Sequence, residues 1–336
     1  MKMIAEYVWI DGKKQYRSKY KTIEDPSDIY LEPWNYDGSS TSQATCNESE
    51  IFLHPVYHVS NPFLPKSILV LCDTYLDYEL SKPALNNHRQ ECKMICDEYK
   101  SINPTFGFEQ EYFITSQEFY IDHFQQFQKV KEQSDYYCGV GSYSILHRSL
   151  ALEHYQKCLE VGIQMSGVNA EVAPSQWEFQ IGPVEGILSA DQLHLSRYIL
   201  ERVAEKYNKN ISYKPKPLKN PWNGSGLHTN FSNIFTMDKN HGLDQIIKSI
   251  IRAKFNHELD LNFYGDNSER LNGTCETSNK EVFSYGVADR KASIRIPRSV
   301  SHKNYGYLED RRPASNADPY QIISRMIPSF CKHLIY

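Results

Sequence analysis

The sequence predicts an α+β protein in which a small β-rich N-terminal unit precedes a larger unit of mixed strands and helices. The N-terminal part carries a hairpin signal and a buried strand, whereas helical periodicity and strict polar–apolar alternation occupy separate segments from about residue 86 onward. A chain of 336 residues suits one large domain or two. Because Ser81-Lys82-Pro83 interrupts the pattern, we predict domains at residues 1–82 and 83–336.

The N-terminal unit is predicted from three segments. Apolar and polar residues alternate on both sides of Asp11-Gly12, which predicts a hairpin over residues 3–23. Residues 33–50 are rich in Asn, Gly and Ser, and this composition predicts an exposed loop. The apolar run over residues 68–75 predicts a buried strand.

In the second unit, several elements are marked by turn and cap residues. Gly162 is placed to end a helix, and Asp318-Pro319 to begin one with a cap and a first-turn proline. Pro328 should kink or shorten that last helix. We expect helices over residues 86–100, 149–161, 189–207, 243–259 and from 318, strands over 105–115, 176–182 and 291–298, and a solvated loop over 124–133.

Composition argues against several functional classes. The 37 basic and 41 acidic residues give a net charge of −4, whereas general nucleic-acid binders usually carry a basic excess. The longest purely apolar run, residues 68–72, is far too short to span a membrane. The eight cysteines are scattered and no secretory signal is recognisable, which favours reduced thiols. We therefore expect a cytoplasmic protein with neither nucleic-acid nor membrane partners.

Paired carboxylates lie on the strand predicted over residues 105–115. Glu109 and Glu111 share one face, roughly 7 Å apart at strand spacing. Like charges at this distance repel each other, and a divalent cation would turn the repulsion into attraction. A solvated outer face of an edge strand explains this one strand equally well.

A second strand repeats the pattern. Gln176, Glu178 and Gln180 alternate with apolar residues, and Glu171 lies just upstream. Two strands with carboxylates on a polar face indicate a sheet that faces a wet, charged cavity.

A glycine-rich turn leads into a third polar face. Gly224 and Gly226 allow the backbone to approach a ligand closely. His228, Asn230 and Ser232 then alternate along a strand. A lone histidine is usually structural, but this setting favours a ligand or metal role.

Arginines cluster near the end of the chain. They are Arg290, Arg295, Arg298, Arg311 and Arg312, with Glu309 among them. Planar guanidinium groups suit phosphate and carboxylate recognition. For Arg298 and Arg312, ion pairing with the glutamates is a serious alternative. Together with oxygen ligands that suit Mg²⁺ or Mn²⁺, the cluster indicates phosphoryl transfer. Neither a Walker A motif nor the protein-kinase set is present.

Taken together, the motif segments resemble those of glutamine synthetases, specifically the short eukaryotic type (class II). The match runs from about residue 4 to about residue 325, in the family's order. The segments are residues 34–41, 106–112, 137–141, 169–174, 176–183, 222–232, 276–279, 292–298 and 309–313.

The resemblance implies a β-grasp N-terminal domain and a catalytic domain of the glutamine-synthetase/guanido-kinase-like kind, with a curved antiparallel sheet. It implies two or more Mg²⁺ or Mn²⁺ ions and ATP as co-substrate. One ion would be held by Glu111, Glu171 and Glu178. The other would be held by Glu109, His228 and Glu309.

Substrate contacts are implied in the same way. The residues for glutamate are Trp222, Asn223, Gly224, Arg270 and Arg311. The residues for the nucleotide are Glu109, the stretch from Glu178 through Gln180 to Pro183, Asn230, Ser232, Arg290 and Arg295. Arg290 and Arg295 would also hold the phosphates during transfer. Glu276 would lie on a flap that closes over the intermediate.

The implied reaction joins ammonia to L-glutamate. ATP converts the γ-carboxylate into an acyl phosphate, and an acidic pocket accepts a proton from ammonium before it attacks. The chain has Glu50 where the family usually has Asp, in the predicted ammonium site. The family likeness also implies a homo-oligomer of stacked rings with active sites between subunits, here with shortened termini. The alternatives are a ligase for another amine and a catalytically impaired homologue that binds nucleotide or glutamate.

Overall fold

The computed structural model describes residues 2–24, 31–118, 120–121, 132–142, 144–219, 221–273 and 277–332. Contacts within the chain divide it into two units. The first comprises Met1–Glu91 and Lys157–Gly162, and the second Cys92–Gln156 and Ile163–Tyr336. The domain boundary predicted after residue 82 stays a prediction.

The first unit is built on a five-stranded sheet. Its strands are β1 (Lys2–Ile10), β2 (Tyr16–Glu24), β3 (Trp34–Asp37), β4 (Glu50–Ser60) and β5 (Ser67–Tyr75), in the order β2-β1-β5-β4-β3. The β1–β5 pair is parallel and the other neighbours are antiparallel. The predicted hairpin and the predicted buried strand are both confirmed.

The predicted exposed loop over residues 33–50 is wrong at both ends. Trp34 packs edge-on against Tyr7 with ring centroids 5.5 Å apart, and Tyr36 lies 4.5 Å from Trp9. These aromatic contacts draw β3 into the sheet and into the hydrophobic core. The short 3-10 turn Gly38–Thr41 follows, and β4 begins at Glu50.

The second unit contains an eight-stranded sheet. Its strands are β6 (Thr105–Thr115), β7 (Met165–Ala170), β8 (Gln176–Glu185), β9 (Asn210–Ser212), β10 (Leu227–Ser232), β11 (Tyr285–Val287), β12 (Ile294–Ile296) and β13 (Leu308–Asp310). The order is β11-β12-β13-β10-β6-β8-β7, and β9 pairs with β6. All of these pairs are antiparallel except β11 with β12.

Within the described residues the helices are α1 (Arg89–Glu98), α2 (Arg148–Glu160), α3 (Gly186–Lys206), α4 (Gly242–Phe255), α5 (His257–Leu261), α6 (Arg298–Lys303) and α7 (Pro319–Cys331). Among the described residues, none of these helices is long and apolar enough to cross a membrane. In the second unit α3 packs against β6, β8 and α7. The α+β class predicted from the sequence is confirmed.

Three predicted elements differ in detail. The helix predicted over residues 243–259 is broken at Asn256, whose backbone leaves the helical region and separates α4 from α5. The strand predicted over 291–298 is only β12, because Pro297 ends it and caps α6. The last helix begins at the predicted Asp318 cap but runs past Pro328 to Cys331. Most of the loop predicted over 124–133 lies outside the described residues.

A buried ionic cluster ties the end of β13 to the helices. Arg312 is fully buried, and its Nη2 lies 2.6 Å from Asp310 Oδ2 and 3.3 Å from Asp260 Oδ2. Asp260 also accepts hydrogen bonds from Ser329 and Arg325. Arg312 is therefore ion-paired, but with aspartates and not with the glutamates that the sequence alternative named. The cluster also fixes the strand that carries Glu309.

Candidate active site

The polar faces of the central strands line one cavity of about 380 Å³ in the second unit. Strands β6, β7, β8, β10, β12 and β13 all contribute to its wall, as does the glycine-rich turn before β10. The lining residues are Glu109, Glu111, Tyr137, Asn169, Glu171, Val172, Gln176, Glu178, Gln180, Asn223, Gly224, His228, Arg270, Thr277, Arg290, Arg295, Glu309 and Arg311.

Three buried carboxylates converge on one side of this cavity. Glu111, Glu171 and Glu178 each offer an oxygen within 4.8 Å of the others'. Burial raises the pKa of Glu111 to about 7, against the lowering effect of Arg270. Burial and the charge of Glu111 raise the pKa of Glu171 to about 8. Burial and the adjacent glutamates also raise the pKa of Glu178 well above its usual range. The group is costly to ionise without a cation.

A second group shares one member with the first. Ligand atoms of Glu109, Glu178 and His228 also lie within 4.8 Å of one another. Nδ1 of His228 is 3.5 Å from Glu109 Oε2 and 3.7 Å from Glu309 Oε1. Burial, followed by Arg311, holds the pKa of His228 well below its usual value, so the ring is neutral and able to bind a metal.

Glu309 is held by two arginines. Its Oε2 accepts from Arg295 Nη1 at 2.8 Å, and its Oε1 accepts from Arg311 Nη1 at 2.5 Å. The carboxylate itself is almost fully buried. Glu309 therefore offsets part of the positive charge on the arginine side of the cavity.

The backbone of the glycine-rich turn orients Glu111. Gly226 N donates to Glu111 Oε2 at 2.6 Å, and Gln176 Nε2 approaches the same oxygen at 3.4 Å. A Cβ at position 226 would lie 2.6 Å from Arg270 Nη2 and 2.9 Å from His228 Nε2. Glycine is needed here because no side chain would fit between these groups.

Arg270 is buried, and most of its N–H groups donate hydrogen bonds to other groups of the protein. Nη1 donates to Asn267 Oδ1 and to Arg312 O, both at 3.1 Å. Nη2 donates to Arg311 O at 2.9 Å and lies 3.4 Å from His228 Nε2. Only its Nε is buried without a hydrogen-bond partner. The side chain thus anchors the main chain just after β13.

The donor set fits divalent cations of the Mg²⁺ or Mn²⁺ type. Five carboxylates and one neutral imidazole line the cavity at Glu109, Glu111, Glu171, Glu178, Glu309 and His228. Oxygen-rich ligation of this kind suits hard cations. Residues 87–331 match the family model for the catalytic domain of glutamine synthetase.

The chain belongs to the glutamine synthetase family.

Whole-length relatives agree with this assignment. Glutamine synthetase of Tuber borchii is 46% identical over 335 residues, which cover 98% of this chain and 92% of that protein. The Saccharomyces cerevisiae glutamine synthetase is 44% identical over 334 residues, which cover 98% of this chain and 90% of that protein. The electron cryomicroscopy structure of Plasmodium falciparum glutamine synthetase has the same fold, with a TM-score of 0.76 at 18% identity, over 97% of this chain and 71% of that one. The family predicted from the motifs is confirmed.

Most of the residues that the glutamine synthetase resemblance singles out line the cavity. The predicted ligand set Glu111, Glu171 and Glu178 is found as a cluster. In the second set Glu178 lies with Glu109 and His228, while Glu309 faces the arginines.

Other predicted residues lie outside the lining set. Asn230 donates a hydrogen bond to Glu109 Oε1 at 2.9 Å. Trp222 is half-buried against Tyr136, with ring centroids 6.1 Å apart. Ser232 is half-buried and Pro183 is exposed. Their roles stay predictions.

Two predicted residues remain to be described. Glu276 lies outside the described residues, so its place on a flap stays a prediction. Glu50 belongs to the first unit, where it is exposed at the start of β4 and accepts a hydrogen bond from Asn35 Nδ2. It pairs across the sheet with Asp37, which is also exposed.

Sequence reasoning missed several residues of this glutamine synthetase site. Tyr137, Asn169 and Thr277 line the cavity, and although each lies in one of the motif segments, no role is predicted for any of them. Asn169 Nδ2 donates to Glu171 Oε1 at 3.1 Å, a bond that the short spacing Asn169-Ala-Glu171 could have indicated. Thr277 lies in a loop, where periodicity carries no information.

Proposed function

We propose that this chain is a working glutamine synthetase that joins ammonia to the γ-carboxylate of L-glutamate, with ATP converted to ADP and phosphate. The observation that carries this proposal is one cavity that is lined by carboxylates, by His228 and by four arginines, namely Arg270, Arg290, Arg295 and Arg311. One side of the cavity suits cations and the other suits phosphate and carboxylate anions. A site for phosphoryl transfer needs both.

We propose two sets of metal ligands in this cavity. Glu111, Glu171 and Glu178 would hold one Mg²⁺ or Mn²⁺ ion. Glu109, His228 and Glu309 would hold a second, with Glu178 close to both. When bound, such ions supply Lewis-acid stabilisation of phosphoryl oxygens.

The chain's own residues would carry the remaining work. Arg290 and Arg295 line the cavity and would bind the γ-phosphate, spreading its charge as it moves to the glutamate carboxylate. Asn223, Gly224 and Arg311 would bind glutamate, together with Arg270. Since ammonia cannot displace oxide from a carboxylate, the acyl phosphate gives it a leaving group.

The nucleotide and ammonium contacts are proposals that rest on the family. Gln180 Nε2 donates to Glu178 Oε1 at 2.6 Å, so it would steady a metal ligand beside the nucleotide. Closure of a flap that carries Glu276 would exclude water from the acyl phosphate. Glu50 would accept a proton from ammonium in a site completed by a second copy of the chain. Its cross-strand neighbour Asp37 offers a second exposed carboxylate at the same place.

The predicted assembly and location are also proposals. We propose a homo-oligomer of stacked rings, which measurement of the mass in solution would test. A cytoplasmic location and the absence of nucleic-acid and membrane partners stay predictions from composition.

Release of ADP by the purified chain, with Mg²⁺, ATP and glutamate, with and without ammonium, tests the function. Ammonium-dependent release supports glutamine synthetase. Turnover with a polyamine but not with ammonium would favour a ligase for another amine. Binding of ATP or glutamate without any turnover would favour a binding homologue.

Two variants locate the ammonium site. Glu50→Asp restores the family's usual residue, and Asp37→Asn removes the neighbouring charge. If Glu50 serves ammonium, Glu50→Asp should change the KM for ammonium while leaving the KM for ATP unchanged. If only Asp37→Asn affects ammonium use, the assignment of Glu50 is wrong.

A further inference from the structure

A buried polar network lies behind the strand that carries the carboxylates. Gln110 stands between Glu109 and Glu111 in β6, and its side chain points to the opposite face because side chains alternate along a strand. It is fully buried, away from the cavity. A buried amide must find hydrogen-bond partners, and those partners show what holds β6 from behind.

The first hydrogen-bond partner of Gln110 is the main-chain carbonyl of Glu111, which lacks its usual donor from the neighbouring strand. Glu111 N still donates to Gly226 O at 3.1 Å, but Gly226 N donates to the Glu111 side chain. Gly226 N is therefore not available to the Glu111 main-chain carbonyl, and the β6–β10 register closes with Gln110 opposite Leu227. Gln110 Nε2 donates to that carbonyl at 2.8 Å and to Ser315 O at 3.1 Å. The side chain of Gln110 thus completes the strand at the point where Glu111 takes the backbone donor for its carboxylate.

Arg197 holds Gln110 in this position. From α3, its Nε donates to Gln110 Oε1 at 2.7 Å, its Nη2 to Ser315 O at 3.1 Å and its Nη1 to Ala317 O at 3.1 Å. The side chain is 6% exposed, and its guanidinium lies 5.3 Å from the Tyr213 ring centroid. The planar fork bridges three acceptors on two separate segments, which an ammonium group cannot reproduce.

The same segments lead to the glycine-rich turn. Ser315 N donates to Ser225 O at 3.1 Å, which ties the residues after β13 to that turn. On the cavity side, Gln176 Nε2 donates to Gly224 O at 3.0 Å. The network therefore connects α3 with both the Glu111 carboxylate and the loop that would receive glutamate.

We propose that Arg197, acting through Gln110, is a positioning residue that sets the orientation of Glu111 and of the turn at residues 223–226. This inference rests on the proposed function for its meaning in catalysis, but its first consequence concerns cation binding alone. Groups that orient metal ligands commonly change metal affinity by about 10–100-fold when removed.

Three variants of the full chain test the proposal. Arg197→Met removes the fork and Arg197→Lys keeps the charge without the fork. Arg202→Met is the matched control, because Arg202 lies on the same helix with its Nε 3.0 Å from an exposed glutamate, Glu205. Mn²⁺ binding is read from the spin-resonance signal of the free ion, without substrates, at a temperature where circular dichroism shows every variant folded. The KM for glutamate and kcat are then measured separately.

We expect Arg197→Met to weaken Mn²⁺ binding and to raise the KM for glutamate by about tenfold or more. Arg197→Lys should recover only part of the loss, and Arg202→Met should remain within about twofold of the parent in both. Mn²⁺ binding by folded Arg197→Met within twofold of the parent would overturn the proposal. If Arg197→Met does not fold, Gln110→Asn provides the same test, because its shortened side chain cannot reach both Arg197 and the Glu111 carbonyl.

Failure of the proposed function would be seen separately. Since Mn²⁺ binding is measured without substrates, a parent chain that lacks turnover would contradict the ligase activity alone. The comparison of Mn²⁺ affinities would still support or overturn the positioning role.

Discussion

Without divalent cations, the protein should lose stability as the pH rises from 6.5 to 8, and added Mg²⁺ or Mn²⁺ should reverse the loss. The reason is the group of Glu111, Glu171 and Glu178, whose carboxyls are buried beside one another. In the unfolded chain all three are ionised throughout this range. In the folded chain they must give up protons inside the cavity.

The sign and size follow from the shifted pKa values. Burial raises the pKa of Glu111 from 4.5 to about 7 and that of Glu171 from 4.5 to about 8, so the folded state holds more protons and its stability falls with pH. Over this window the loss is about 1 kcal/mol from Glu111 and about 2 kcal/mol from Glu171. A bound cation replaces those protons, and at about 100 times its dissociation constant it contributes about 2.7 kcal/mol.

Urea unfolding followed by tryptophan fluorescence measures this effect, at pH 6.5, 7.25 and 8, with EDTA or with a saturating cation. Glu111→Gln should reduce the difference between the two conditions. Glu201→Gln is the control, because burial raises the pKa of Glu201 on α3 to about 8 although it is not among the candidate metal ligands. That variant should lessen the pH dependence equally in both conditions.

The reasoning would be refuted by a cation-induced shift of the unfolding midpoint that is equal at pH 6.5 and pH 8, or larger at pH 6.5. Either result would mean that the carboxyls are already ionised in the folded protein at pH 6.5. It would also mean that cation binding does not compete with protons at this cluster.

Two further predictions concern single side chains. Arg312→Met should lower the free energy of unfolding by about 3–5 kcal/mol, because it removes an ion-pair partner from buried aspartates. Arg325→Met is the control, and it should cost about 1 kcal/mol or less because its ion pair is partly exposed. Equal losses of the two variants in urea unfolding would contradict this prediction. Gly226→Ala should lower kcat/KM for glutamate by about 10²-fold, because its methyl group would lie 2.6 Å from Arg270 Nη2. Ser225→Ala, which removes a buried hydroxyl that has no hydrogen-bond partner, should behave as the parent does, and parent-like kinetics in Gly226→Ala would count against the packing argument.

Alternation made much of the second unit predictable. A two-residue period places Glu109 and Glu111 on one face of β6 and Glu178 on the matching face of β8, and the observed pairing of Glu111 with Glu178 brings these faces together. The period could not show that pairing, because register depends on long-range contacts. It also could not show that Glu309 lies between two arginines.

Loops and short strands were harder to predict. Residues 33–50 are polar in composition, yet aromatic contacts from Trp34 and Tyr36 override that composition and create β3. No proline or glycine marks the break between α4 and α5 at Asn256, and the helical periodicity of the sequence continues through this residue. The network behind β6 joins Gln110 to residues up to 205 positions away, a separation that no local pattern records.

The hydrogen bonds between Glu309 and its two arginines couple cation binding to anion binding in the cavity. Each arginine places one donor on a different oxygen of this carboxylate. A cation that draws Glu309 towards itself would weaken both contacts and free the arginines for an anion, and an anion on the arginines would free the carboxylate for the cation. We therefore expect binding of the cation and of the anion to be cooperative, with a coupling free energy that is the same whichever ligand arrives first.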